Sequence, residues 1–292
     1  KIMYNAARLT WKNREGKLGE VICPHNDFSG VRAINVSGLP KGSMMNIGFD
    51  GVGTKVEIAE RAGDFSTLAY DLFAMVCDDA VVRGAEPVLV GSIIDVNSLG
   101  RDGVSYIKQV KQLALGYIDA AKQANVAVVN GEIAELGRRV GGYGPFNSNW
   151  GAGLVWFAKK ERMFTGDEVK AGHYLVGLEE TGFRSNGLSL VRKIMENEWG
   201  EDWHSECLST HLILQPSRIY SKAVVDMFGG FAGRQKAKLS GVVHVTGGGV
   251  PGKLERVLRP SGLGADVTEP LEPCHMMKYC QGLGDVSDVE AY

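Results

Sequence analysis

The chain has 292 residues, room for two domains, and its 44% apolar and 23% charged residues are an ordinary globular balance. A formal net charge of −2, with Lys and Arg scattered, gives no electrostatic basis for nucleic-acid binding. No apolar run approaches the ~20 residues of a membrane span, and Lys1–Leu9 lacks the apolar core of a signal peptide, so a cytoplasmic location is expected.

The first stretch, to about residue 45, is weakly patterned, with Val31–Val36 predicting a strand that ends at Gly38 and Pro40. Asn46–Phe49 predicts a buried strand feeding Asp50-Gly51-Val52-Gly53-Thr54-Lys55. Leu68, Leu72, Met75 and Val76 give Thr67–Arg83 helical spacing, and Gly84 fits its stop. Pro87–Val96, rich in β-branched residues, predicts a central strand. Gly103–Asn125 is the clearest helix. Val126–Val129 predicts a strand that delivers Gly131-Glu132 to its end, where α/β folds bind ligands. Trp150–Ala158 is a further apolar strand. The charges and turn of Lys159–Gly166 then place a boundary between domains 1–160 and 161–292.

The second half restarts with a strand at Tyr174–Leu178. A loop, Glu179–Phe183, leads into a helix over Ser185–Glu198 with Ser185 and Asn186 as caps. Pro216–Phe228 predicts a helix, Val242–Val245 a strand, and Pro251–Leu258 a short helix. Interleaved strands and helices in both halves give an α/β or α+β architecture.

Asp50–Lys55 packs an acid, two glycines, a hydroxyl and a lysine into six residues. Glycines admit close backbone approach and their amides can bind an anion; Asp50 can hold a hard cation, and Lys55 can neutralise phosphate. A polar strand-to-helix turn reads the same way. Gly48 to Gly53 has P-loop glycine spacing, but Thr54 precedes Lys55, so this is not a P-loop.

Asp71 and Asp78 share a helix face, with Asp79 turned by about 100°. Asp71 with Asp78, or Asp79 with a loop acid, can hold a metal; solvated helix charge is the other reading. Glu132 and Glu135 would meet on one face of a helix, either to bind Mg²⁺ and move a proton or to complement a helix dipole. His244, before Gly247-Gly248-Gly249, is either a packed core residue or a site residue beside anion-binding amides. Arg184 and Arg218 can fork onto phosphate or form surface ion pairs. Five cysteines without a close Cys-x-x-Cys pair point to reduced thiols. No His-Glu-x-x-His or Gly-x-Ser-x-Gly is present, which weakens zinc-enzyme and hydrolase readings.

Seven segments in order carry a resemblance: Asp50–Lys55, Asp71–Met75 with Asp78-Asp79, Gly84–Pro87, Gly131–Glu135, Ser185–Lys193, Pro216–Tyr220 and His244–Gly249. From about Asp50 to about Leu258 the chain resembles the phosphoribosylformylglycinamidine cyclo-ligase (aminoimidazole ribonucleotide synthetase) family. The resemblance implies a two-domain PurM-like fold: an N-terminal mixed sheet with helices, then an α/β C-terminal domain expected to continue past Tyr292. It implies a homodimer joined through the N-terminal sheets; charge and hydropathy give no expectation of a nucleic-acid or membrane partner. It implies ATP and Mg²⁺, and activation of an amide oxygen by phosphorylation on a small ribonucleotide phosphate.

Carried over, Asp50, Gly51, Gly53, Thr54 and Lys55, with Asp71, line the ATP phosphate site. Asp50, Asp79 and Glu132 are the metal acids. Ser185, Asn186, Gly247 and Gly248 face the interdomain cleft, with Arg184 on the substrate. Lys55, Glu132 and His244 are the catalytic candidates. The departures bear on the exact substrate more than on the fold. The family's N-terminal glycine loop is not matched at Cys23–Gly30. Asn130 and Ile133 replace a glycine and a threonine, and Leu136-Gly137-Arg138 replaces Met-Pro-Gly. Arg184 stands where many members have histidine, and Asp78 where many have asparagine. Alternatives are selenophosphate synthetase, thiamine-monophosphate kinase, a carbamoyl-dehydrating maturation protein, or a catalytically silent nucleotide-binding paralogue.

Overall fold

The computed structural model describes residues 1–23, 32–206 and 210–291. Helix α1 (Ile2–Thr10) precedes strand β1 (Ser43–Gly51), helices α2 (Lys55–Ala62) and α3 (Leu68–Val81), and strand β2 (Glu86–Val96). A small hairpin, β3 (Gly100–Arg101) and β4 (Val104–Ser105), leads into α4 (Ile107–Ala124), then β5 (Ala127–Glu135) and β6 (Ser148–Lys159). The four long strands form one sheet in the order β1-β6-β2-β5. β2 and β5 are parallel, which requires the crossover that α4 supplies, and the other two pairings are antiparallel.

Helices α3 and α4 cover one face of this sheet. Leu72, Phe73, Val76, Leu113 and Tyr117 pack there against Val90, Ile94, Val128, Trp150 and Leu154. These residues explain why β2 reads as a nearly continuous apolar run: it is flanked on both edges and covered by helices. The opposite face is only partly covered, where Trp11, Leu18 and Phe231 pack on Val88, Leu89 and Phe157. Beyond that patch Ile47, Phe49 and Ile93 stand exposed, Phe49 at 76%.

Three expectations are corrected here. Asn46–Phe49 lies in a strand, but β1 is an edge strand and its apolar side chains are not buried. Val31–Val36 forms no strand among the described residues; Ala33 makes one isolated bridge to Ile22, and Val31 lies outside them. β5 runs through Gly131-Glu132 instead of ending before it, so Glu132 and Glu135 are on a strand and three residues apart point to opposite faces. Most of Cys23–Gly30, including His25, and Cys207 lie outside the described residues.

The second half contains α5 (Leu188–Trp199), α6 (Trp203–Glu206), α7 (Thr210–Ile213), α8 (Ser221–Phe228), α9 (Gly249–Leu258), α10 (His275–Leu283) and α11 (Asp288–Ala291). Leu188, Val191, Met195, Trp203, Ile213 and Leu214 join the same apolar core as α3 and α4. Tyr174–Leu178 and Val242–Val245, expected as strands, enter no ladder among the described residues. The first of them lies uncovered, with Tyr174 95% and Val176 77% exposed, whereas Val242–His244 is half-buried, Val242 packing beside Val81, Val224 and Phe228. α5 begins at Leu188 behind Gly187, whose φ of 79° suits glycine, so Ser185 and Asn186 precede the cap instead of forming it. α8 likewise begins at Ser221, five residues after Pro216.

Candidate active site

The register fixes where the candidate acids point. Asp50 pairs with Ala152, Ala152 with Ser92, and Ser92 with Gly131. Ala152 and Ser92 are buried, so this row faces the helices, where α3 carries Asp79. The next row, Gly51, Gly151, Ile93 and Glu132, faces the open side. Glu132 is therefore on the opposite face and three strand spacings, about 14 Å, from Asp50. A metal site shared by Asp50, Asp79 and Glu132 within one chain does not fit this geometry. Among the described residues no three His, Cys, Asp or Glu side chains gather as a metal site.

Asp50, Asp79, His244 and Lys253 do come together. His244 Nδ1 lies 2.7 Å from Asp79 Oδ1, and Arg184 Nη2 lies 3.2 Å from His244 Nε2. Burial raises the Asp50 pKa; the Gly51 amide, bonded to its Oδ1 at 2.7 Å, works against this, and the Asp79 charge adds to it. Lys253 pulls Asp50 back down more weakly. For Asp79 burial also raises the pKa, but the His244 hydrogen bond, with Lys253 and Arg83, outweighs it and leaves it below its ordinary value. The result is a corner in which one carboxylate is held ionised and its neighbour is partly discouraged from ionising.

Glycines bring three loops to this corner. A Cβ on Gly53 would sit 3.5 Å from Ser185 O, and one on Gly247 3.8 Å from Asn186 Nδ2. α9 opens behind Gly248 and Gly249, at φ 98° and 65°, which only glycine adopts readily. Gly53 and Thr54 are exposed beside them, and Ser185 Oγ is buried with no hydrogen-bond partner among the described residues. Lys253, one turn into α9, was missed in the sequence; its only signal is the four-residue spacing from Gly249.

Lys55 and Asp71 are elsewhere. Lys55 is fully buried, and its Nζ donates to Asp71 Oδ1 at 2.8 Å, Phe183 O at 2.7 Å and Gln215 O at 2.6 Å. All three ammonium donors are spent, so Lys55 has none left for a phosphate. Ser217 Oγ donates to the same Asp71 oxygen at 2.5 Å. Burial raises the Asp71 pKa, and Lys55 and Ser217 oppose it. Asp78, also raised by burial against Arg184, accepts the Tyr220 and Ser221 amides at 3.0 and 2.8 Å at the start of α8. The shared face of Asp71 and Asp78 is thus a seam joining α3 to the second half.

The AIR synthase related protein N-terminal domain model matches residues 32–154, and the corresponding C-terminal domain model matches residues 170–288. Phosphoribosylformylglycinamidine cyclo-ligase of Pyrococcus furiosus is 31% identical over 252 residues, which cover 86% of this chain and 68% of that protein. The enzyme of that name from Acetivibrio thermocellus is 31% identical over 302 residues, 100% of this chain and 81% of that protein. Thiamine-monophosphate kinase from Stenotrophomonas maltophilia superposes with a TM-score of 0.55 at 12% identity, over 100% of this chain and 80% of that one, a likeness of fold alone. Both domain models and the named relatives agree, and the chain belongs to the phosphoribosylformylglycinamidine cyclo-ligase family of ligases.

Proposed function

We propose that this protein uses ATP and Mg²⁺ to convert formylglycinamidine ribonucleotide to aminoimidazole ribonucleotide, a cytoplasmic step of purine biosynthesis. The γ-phosphoryl group goes to the formamide oxygen. The amidine nitrogen then attacks that carbon, and the oxygen leaves with phosphate. The observation that carries this reading is the corner of Asp50, Asp79, His244 and Lys253 beside the glycine-opened start of α9. Such chemistry needs positioned charge more than covalent participation by the protein.

The free end of α9 suits a phosphate, and Lys253 adds neutralising charge. Mg²⁺ carried by nucleotide phosphates needs only one or two protein carboxylates, a demand that Asp50 and Asp79 fit without a third acid. Ser185 and Asn186 stand where a substrate group would find the unpartnered Ser185 Oγ. Lys55, in this reading, sets the walls of the cleft through Phe183 and Gln215. Thiamine-monophosphate kinase-like chemistry is disfavoured by the 12% identity to that protein against 31% to the cyclo-ligases.

The exposed Ile47, Phe49 and Ile93 support a homodimer in which a second copy covers the open sheet face, with Glu132 on that face. Light scattering checks it: a strictly monomeric mass removes this part. The activity itself is tested by ADP release from Mg·ATP with formylglycinamidine ribonucleotide, against thiamine monophosphate and against no second substrate. Release only with the first is expected. Nucleotide uptake without substrate-dependent release would leave a silent nucleotide binder instead.

A further inference from the structure

Arg184 has the residue type of a phosphate anchor, but four of its five N–H donors are committed, and the fifth, on Nε, is buried with no partner among the described residues. Nη1 donates to Glu180 Oε2 at 3.0 Å and to Arg218 O at 2.9 Å. Nη2 donates to Asp78 Oδ2 at 2.9 Å and approaches His244 Nε2 at 3.2 Å. The guanidinium is also packed over the Tyr220 ring, 5.4 Å from its centroid. Asp78, in turn, cannot swing away: its side chain is 3% exposed and its other oxygen holds the Tyr220 and Ser221 amides. Arg184 is therefore clamped between two elements of the second half and the buried acid of α3.

A guanidinium has donors and no acceptor. His244 Nε2 must accept from it, which assigns the ring proton to Nδ1, and Nδ1–H then donates to Asp79 Oδ1 at 2.7 Å. We infer that Arg184 is a positioning residue and not a substrate anchor: gripped by Asp78, it fixes the orientation of the His244 imidazole, so that Asp79 receives the Nδ1–H. Asp78 and Arg184 are then one exchangeable unit. The two departures from the resembled pattern, at Asp78 and Arg184, are thus the two partners of one ion pair.

The kinetic part of the test rests on the proposed cyclo-ligase activity, and the spectroscopic part does not. In the full chain with ¹³C,¹⁵N-labelled histidine, the His244 signals are assigned by their loss in His244→Ala. The expected state has the ring proton on Nδ1 with Nε2 accepting. Arg184→Leu should leave the Nδ1–H donating to Asp79 but remove the donor at Nε2, so the Nε2 signal should move while the Nδ1 signal holds. Because Arg184→Leu leaves Asp78 buried and unpaired, Asp78→Asn/Arg184→Leu gives the same readout with that charge removed. In turnover, Arg184→Leu should lower kcat at least tenfold while the KM for the ribonucleotide stays within about twofold, since an anchor would raise KM instead. Asp78→Asn/Arg184→His should recover most of the kcat that Arg184→His alone loses. An Nε2–H tautomer in the unmodified protein, a KM effect without a kcat effect, or a double variant no better than the singles would each overturn the inference. Absence of turnover in the unmodified protein would instead count against the proposed function, with the tautomer still deciding the role of Arg184.

Discussion

Helix α3 serves two unlike regions. At Asp71 it enters a sealed seam, where Lys55 and its partner are both 0% exposed and every ammonium donor is used. Two turns on, at Asp79, it reaches a corner where the carboxylate is 55% exposed, with His244 on one side and a glycine-opened helix on the other. The same charged residue types do different work because their surroundings differ. In the seam the protein supplies all the partners, so the charges specify how the two halves dock. In the corner it leaves room, so the charges can meet a ligand.

The largest effect should come from breaking the seam. Replacing Lys55 with Met leaves Asp71 buried without its cation, a loss of about 3–5 kcal/mol of stability. Pairing it with Asp71→Asn should cost clearly less than the sum of the two single changes. Urea unfolding of the four proteins measures this. A Lys55→Met protein that keeps its stability but loses ATP affinity would move Lys55 out of the seam and into the site.

The next test concerns Glu60, on the same helix as Lys55. Its carboxylate accepts the Tyr143 amide at 2.9 Å and the Ser148 amide at 3.0 Å, tying the 143–148 loop to α2. Burial nevertheless pushes its pKa up to about 7, from an ordinary 4.5, against those hydrogen bonds. The folded state thus holds more protons than the unfolded one between these values. Glu60's contribution to stability is therefore greatest below pH 4.5 and falls as pH rises to 7, flattening above. At about 1.4 kcal/mol per unit, discounted for partial solvent access, the change is on the order of 2 kcal/mol. Glu60→Gln should remove that slope; unfolding curves with the same pH dependence in both proteins would refute it.

How much of this was legible differs along the chain for physical reasons. α4 and β2 were readable because long stretches carry one clear period or one dense β-branched run. Phe49 was misplaced because an apolar residue at a sheet edge looks the same in sequence as one in a core. Glu132 was ambiguous because two acids three apart do not distinguish a helix from a strand. The shared face of Asp71 and Asp78 followed from their spacing, but its role did not. The carbonyls that saturate Lys55 come from residues 128 and 160 positions away, and no local motif encodes them. His244 and the triple glycine are placed at the cleft by the resemblance, but the contact of Arg184 with His244, 60 positions away, is encoded by no local motif.

Gly248 tests the corner's backbone with a smaller effect. A Cβ there would meet nothing within 4 Å, but φ is 98°, so Gly248→Ala is strained without a clash and should cost about 1–2 kcal/mol. Gly252, inside α9 with equally open space, is the control: Gly252→Ala should be neutral or stabilising by up to about 1 kcal/mol. If both substitutions behave alike in thermal unfolding, the start of α9 is not the built feature described here.

The smallest stability effect and the sharpest contrast with Lys55 belong to Asp79→Asn. The asparagine keeps the shape and can still accept the His244 Nδ1–H, so the histidine keeps its place. What is lost is a charge more than half exposed, and exposed pairs of this kind contribute under about 1 kcal/mol. The unfolding midpoint should barely move. The negative charge that acts on Asp50 and complements Lys253 would be gone, however, and with it one of the two carboxylates proposed for nucleotide-bound Mg²⁺. ADP release should fall at least tenfold, with a raised Mg²⁺ requirement. Lys55→Met should do the reverse, losing stability first and activity only as folded protein is lost. Measuring unfolding and turnover on these two variants places each residue on one side of the divide. An Asp79→Asn protein that loses several kcal/mol of stability, or turns over normally, would make the corner an extension of the seam.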